Sequence, residues 1–113
     1  MAQSKIEVFT AMLAEQPDNA LIWYGLASEQ YKLENWVEAA KALRRVVSLN
    51  PDYTAAYQML GTVLTNAGDV DGAQQAWRNG IEAADRTGAW KAGQHMRALL
   101  AGVADTGETL CPD

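Results

Sequence analysis

Cysteine and histidine are nearly missing from this chain: Cys111 and His95 are the single examples in 113 residues. One thiol cannot form an intramolecular disulfide, and a reducing cytoplasm fits. Lone His and Cys residues offer no ligand spacing, so no metal site is expected. His95 has Lys91 and Gln94 beside it, not the Ser, Cys or Asp of a catalytic relay, and reads as an exposed helix residue. Cys111 reads as a bystander thiol in a tail that also holds Gly107 and Pro112.

Basic residues are scarce as well, 9 against 14 acidic ones, for a formal charge of −5. Nucleic acid and anionic membrane both select a basic surface, so neither is an expected partner. Arg44-Arg45 is the only adjacent basic pair and reads as solvated helix surface. No apolar run is long enough to cross a bilayer, and the Met-Ala-Gln-Ser-Lys-Ile-Glu start lacks the apolar stretch of a signal peptide. Phosphate loops rich in glycine are absent too. Asp69-Val-Asp71-Gly72 has the start of a calcium loop without its bidentate Glu, and helix capping accounts for it better. Carboxylates are plentiful, but nothing in their order converges two on one cleft. No cofactor and no catalytic activity are expected.

What the chain does contain is a core and a period. Apolar residues make up 49% and charged ones 20%, which suits one folded domain. Around Trp23, Leu26, Ala27, Ala39, Leu43 and Pro51 the pattern recurs at a shift of 34. Trp23 lands on Tyr57, Leu26 on Leu60, Ala27 on Gly61, Ala39 on Ala73 and Leu43 on Trp77. Shifted backwards, Leu43 lands on Phe9 and Pro51 on Pro17. An aromatic, a Leu-small pair, an Ala and a Pro at this spacing resemble the tetratricopeptide repeat (TPR) family. The resemblance covers about 4–85. It implies an all-α, right-handed solenoid of about six antiparallel helices, with full repeats over about 20–53 and 54–87. A half-repeat over 3–17 precedes them and a capping helix over 88–102 follows, so the domain spans 1–103 with a flexible tail over 104–113.

The local signals agree. Ser4-x-x-Glu7 is a capping-box pattern, and Ile6, Phe9, Met12 and Leu13 give the first helix, from about Gln3 to Glu15, a buried stripe. Pro17-Asp18-Asn19 ends it and offers a cap for a helix from Ala20 to Leu33. Asn35-x-x-Glu38 suggests a second capping box before a core face of Trp36, Ala39, Leu43, Val46 and Val47. Asn50-Pro51-Asp52 repeats the punctuation before a helix from Tyr53 to Asn66. Gly68 supplies a stop, and Asp69 caps a helix from Val70 to Ala84. The larger Trp77 precedes Gly80, where the earlier unit has Leu43 and Val46, so volume is exchanged between neighbouring core positions. After Asp85 the period fails, because it would put Lys91, Gln94 and His95 where Tyr57, Leu60 and Gly61 stood. Ala89, Ala92, Met96, Leu99, Leu100 and Val103 still form one apolar face, as a terminal cap requires.

By the resemblance, the first helix of each repeat lines a concave surface. The matching positions are Leu21, Tyr24, Ser28 and Tyr31, then Ala55, Gln58, Thr62 and Thr65. Gly25, between Trp23 and Leu26, would let a ligand backbone approach closely. One TPR subclass clamps a terminal carboxylate with Lys and Asn, and these strips carry neither. The expected function is therefore a non-catalytic adaptor, cytoplasmic, whose neutral, partly aromatic groove holds a peptide or helix of a partner protein. Trp90 and Arg97 are candidate accessory contacts. Two rivals are self-assembly of a homo-oligomer through the terminal helices and, more remotely, a groove for a small molecule or lipid.

Overall fold

The computed structural model describes residues 4–108, with side chains described through 102. Within them the chain forms six helices and no strand: α1 (Lys5–Glu15), α2 (Ala20–Lys32), α3 (Trp36–Leu49), α4 (Thr54–Asn66), α5 (Val70–Thr87) and α6 (Trp90–Glu108). Each packs on the next in chain order, and α4 also touches α6, which makes an all-α solenoid 54 Å long and 19 Å thick. Cys111 and the last five residues lie outside the described residues, as does Gln3 at the expected start of α1.

Three helix starts follow from side-chain caps. Ser4 Oγ accepts from the Glu7 N–H while the Ser4 N–H donates to Glu7 Oε1, both at 3.1 Å, a complete capping box. Asn19 Oδ1 accepts from the N–H groups of Leu21 and Ile22, and Asp69 Oδ1 from that of Gly72. Neither Asn35 before α3 nor Tyr53 before α4 makes a side-chain cap. Asn35 Nδ2 donates instead to Gln30 Oε1 at 2.7 Å across the α2–α3 turn. That turn needs one residue at positive φ, and Glu34 supplies it at 61°. Gly68, one period later, takes the same role at 88° with no Cβ to strain.

The core lies between the paired helices. Ala39, Leu43 and Val46 of α3 and Ala73 and Trp77 of α5 are buried, facing Ala27 of α2 and Leu60 and Gly61 of α4. A Cβ added to Gly61 would overlap the Trp77 indole, and one on Gly80 would meet Met96 and Tyr57. The expected exchange of volume is thus present. A second periodic device ties each loop to its helix: Trp23 Nε1 donates to the Pro17 carbonyl at 2.8 Å, and Tyr57 Oη to that of Pro51 at 2.9 Å. Trp23 and Leu26, expected as main core contacts, are only half-buried at this end of the stack.

Two boundaries differ from expectation, and together they explain the lost period. Helix α5 runs on to Thr87 and stops at Gly88, whose φ of 79° closes it with a left-handed cap. The next helix then begins 36 residues after α4, at Trp90 against Thr54. At that offset Ala56, Leu60, Val63 and Leu64 map onto Ala92, Met96, Leu99 and Leu100, and Met96 is fully buried. The repeat continues with its register slipped by two. Helix α6 also extends to Glu108, beyond the expected end at 102, since no proline interrupts 90–108.

Candidate functional site

Helices α2 and α4 come together around part of the two strips expected to line a groove. Tyr24 and Tyr31 of α2 line one cavity of about 230 Å³ with Ala55, Gln58, Met59 and Thr62 of α4. A second, of about 350 Å³, is lined by Thr62, Thr65, Asn66 and Trp77 together with Ala98, Leu99 and Gly102 of α6. Thr62 lines both, so the two are neighbours, and together they form a furrow bordered by α2, α4, α5 and α6. Among the described residues, no charged one lines either cavity.

Two aromatic contacts set the furrow's first wall. The Tyr24 ring stacks on Tyr53, with centroids 5.0 Å apart and planes at 26°. Tyr31 meets Trp36 edge to face at 5.6 Å. Such pairs hold large rings in one place, so contact area is presented with little rotamer entropy left to lose. Burial raises the Tyr24 phenol above its ordinary value, with a smaller push from the Tyr53 hydroxyl, and burial also raises Tyr53. Both phenols are therefore neutral donors and acceptors at physiological pH.

The polar side is partly committed. Thr62 Oγ1 donates to the Gln58 carbonyl at 3.3 Å, and Thr65 Oγ1 to that of Gly61 at 2.9 Å. Each hydroxyl proton goes back to its own helix, which leaves oxygen lone pairs to accept from a ligand. Ser28 is half-buried on α2 and Leu21 is 68% exposed, and neither lines a cavity.

One expectation needs correction, and the two accessory candidates lie outside the cavities. Gly25 does not open the groove: its missing Cβ is filled by the Phe9 ring, which would sit 2.7 Å from an added Cβ. That glycine serves α1 packing. Trp90 is neither buried against α5 nor part of the furrow; it is 63% exposed with the Lys91 ammonium 5.7 Å from its ring. Arg97 is ion-paired with Asp85 of α5 at 3.3 Å and lines neither cavity. The period itself hid other residues. Tyr53 falls on Asn19 and Met59 on Gly25 when shifted by 34, so no repeat signal marks them. Ala98 and Leu99 become visible only once the slip of two is known.

Comparison with known proteins agrees with this geometry. The tetratricopeptide repeat family model matches residues 30–101. The TPR repeat-containing protein PA0015 of Pseudomonas aeruginosa is 37% identical over 95 residues, covering 84% of this chain and 90% of that relative. The solution structure of protein BPP2914 from Bordetella parapertussis is 31% identical, covers 98% of both chains and superposes with a TM-score of 0.81. A tetratricopeptide repeat domain protein from Salinibacter ruber is 26% identical over 77% of this chain and 88% of its own, with a TM-score of 0.71.

Proposed function

This chain belongs to the tetratricopeptide repeat family, and we propose that it is a non-catalytic adaptor whose concave furrow holds a segment of a partner protein. Domains of this family commonly serve as protein-interaction modules, and the observation that carries the reading here is the pair of neighbouring cavities that meet at Thr62. Its aromatic wall at Tyr24 and Tyr31 offers apolar contact, while Gln58, Thr62 and Thr65 offer hydrogen bonds that set register. The lining among the described residues is uncharged, which favours apolar anchors on an extended segment or an amphipathic helix over a terminal carboxylate or a phosphate. An open furrow of this kind suits a polypeptide better than a small molecule, which needs enclosure. The setting is the cytoplasm, and the partner is protein rather than nucleic acid or membrane, in keeping with the charge of −5.

The test compares proteins captured from a lysate by wild type, by Tyr24→Ala/Tyr31→Ala and by Ala55→Arg. Ala55 is exposed at the furrow's edge, so arginine there obstructs it without entering the core. Circular dichroism establishes equal folding first. A captured protein lost by both variants is then titrated as a peptide, with NMR shifts expected at Tyr24, Gln58 and Thr62. Equal capture by all three baits, or shifts confined to other surfaces, would reject the furrow as the binding site.

A further inference from the structure

The face of α1 turned away from α2 shows two large apolar side chains to water. Val8 is 40% exposed and Met12 39%. One period later the same positions are Ala42 and Val46 of α3, exposed by 2% and 0%. Those residues are covered because α2 pairs with α3 from its own repeat. Among the described residues nothing covers α1 on this side. The side chains at these sites are also the larger ones where Ala42 is replaced by Val8. A surface built only to meet solvent would reverse that trend.

From this face we infer that α1 pairs with α1 of a second copy, antiparallel about a two-fold axis, in the place a preceding helix would take. The charges on α1 single out that occupant. Positions 5 and 15, like 8 and 12, are symmetric about position 10. A two-fold axis there sets Val8 against Met12 of the other copy and Lys5 against its Glu15. At about 100° per residue, Glu15, Val8, Met12 and Lys5 share an arc of about 80°, so all four reach one neighbour. The pair of ions forms twice, about 15 Å apart along the helix. Among the described residues neither Lys5 nor Glu15 has an ion-pair partner within its own chain. Ala11 is small and exposed on the flank of the same face, which allows close approach. An antiparallel pair also repeats the geometry that the short turns impose on α2/α3 and α4/α5. A single helix face is smaller than the area of a long-lived dimer, so the association is weak and reversible.

Charge exchange tests this directly. At low salt, sedimentation equilibrium of wild type should show a mass rising from 12.3 kDa toward twice that value with concentration. Lys5→Glu and Glu15→Lys should each weaken self-association roughly tenfold, since each turns two attractive contacts into repulsive ones. Neither harms α1, because an acid near its start and a base near its end both suit the helix dipole. An equimolar mixture of the two single variants should associate again, because every contact then joins unlike charges. The Lys5→Glu/Glu15→Lys double variant should behave as wild type, and Met12→Glu should abolish association. A concentration-independent monomer would overturn the inference. So would association that survives Met12→Glu, or single variants that do not recover on mixing.

Discussion

The two complete helix pairs solve one packing problem with different residues. In α2/α3 the matching core positions hold Ala27 and Leu43, both fully buried; in α4/α5 they hold Gly61 and Trp77, in close contact. The indole occupies the space that the earlier pair fills with an alanine methyl and a smaller side chain. Loop anchoring varies in the same way, through Trp23 to Pro17 in one and Tyr57 to Pro51 in the other. What repeats every 34 residues is the task of a position and the summed volume across the contact. Residue identity is free to move between partners within that sum.

The largest effect that tests this comparison is at Gly61. Gly61→Ala forces the Trp77 ring out of place and should cost about 1–3 kcal/mol, although alanine is the better helix former. Adding Trp77→Leu converts the second pair into a copy of the first, and the double variant should be more stable than Gly61→Ala alone. Urea unfolding of the four proteins gives the coupling. Independent effects would show that the exchange of volume is not what links the two sites.

Loop anchoring gives the next effect. Tyr57→Phe removes the donor to the Pro51 carbonyl while keeping the buried ring, and should cost about 0.5–1.5 kcal/mol. Trp23→Phe should cost a similar amount for the bond to Pro17, plus the lost area of a half-buried indole. The two pairs would be unequal in this device if Tyr57→Phe left the urea midpoint unmoved.

Where the pairs meet, the stacked Tyr24 and Tyr53 make stability depend on pH. Burial raises both phenols, and Tyr57 as well, above the ordinary 10.0. The folded state thus holds these protons more tightly than the unfolded one. Their contribution is complete below the unfolded value and is lost as pH climbs through the folded ones. The melting temperature should therefore fall above about pH 10. The fall should be shallower in Tyr24→Phe/Tyr53→Phe, which keeps the rings and removes the titrating groups. Equal slopes would exclude these two phenols as the cause.

Much of this was legible because solenoid packing is local: each helix answers to neighbours one period away, so a 34-residue comparison reads its core directly. Ala27, Ala39 and Leu43 are fully buried as their period implies. Tyr24, Tyr31, Gln58 and Thr62, named by the same rule, line one cavity. Legibility ended where a position's neighbour came from outside the period. Gly25 is small for Phe9 of the half-repeat, a contact with no counterpart at Met59. Helix α6 was misaligned because α5 outruns α3 by four residues, 18 against 14, while the following turn is shorter by two. Asn35 showed a cap pattern, but Gln30 across the turn competes for its side chain, and sequence spacing does not register such competition.

The smallest predicted effect sharpens the comparison at its one strained point. Both inter-helix turns place their residue 34 positions apart at positive φ, Glu34 at 61° and Gly68 at 88°. For a residue with a Cβ this conformation costs about 1–2 kcal/mol, and Glu34 makes no side-chain bond to offset it, since the cap role beside it is also unfilled. Replacing Glu34 with glycine removes the strain but adds backbone freedom to the unfolded chain, which returns part of the gain. Glu34→Gly should therefore stabilise by about 0.5–1 kcal/mol, and Gly68→Ala should destabilise by about 1 kcal/mol. If Glu34→Gly instead lowers the urea midpoint, the carboxylate must hold a contact that offsets the strain. The first turn would then be kept for what Glu34 touches beside Trp36, Val37 and Asn66 on that rim, rather than for its backbone.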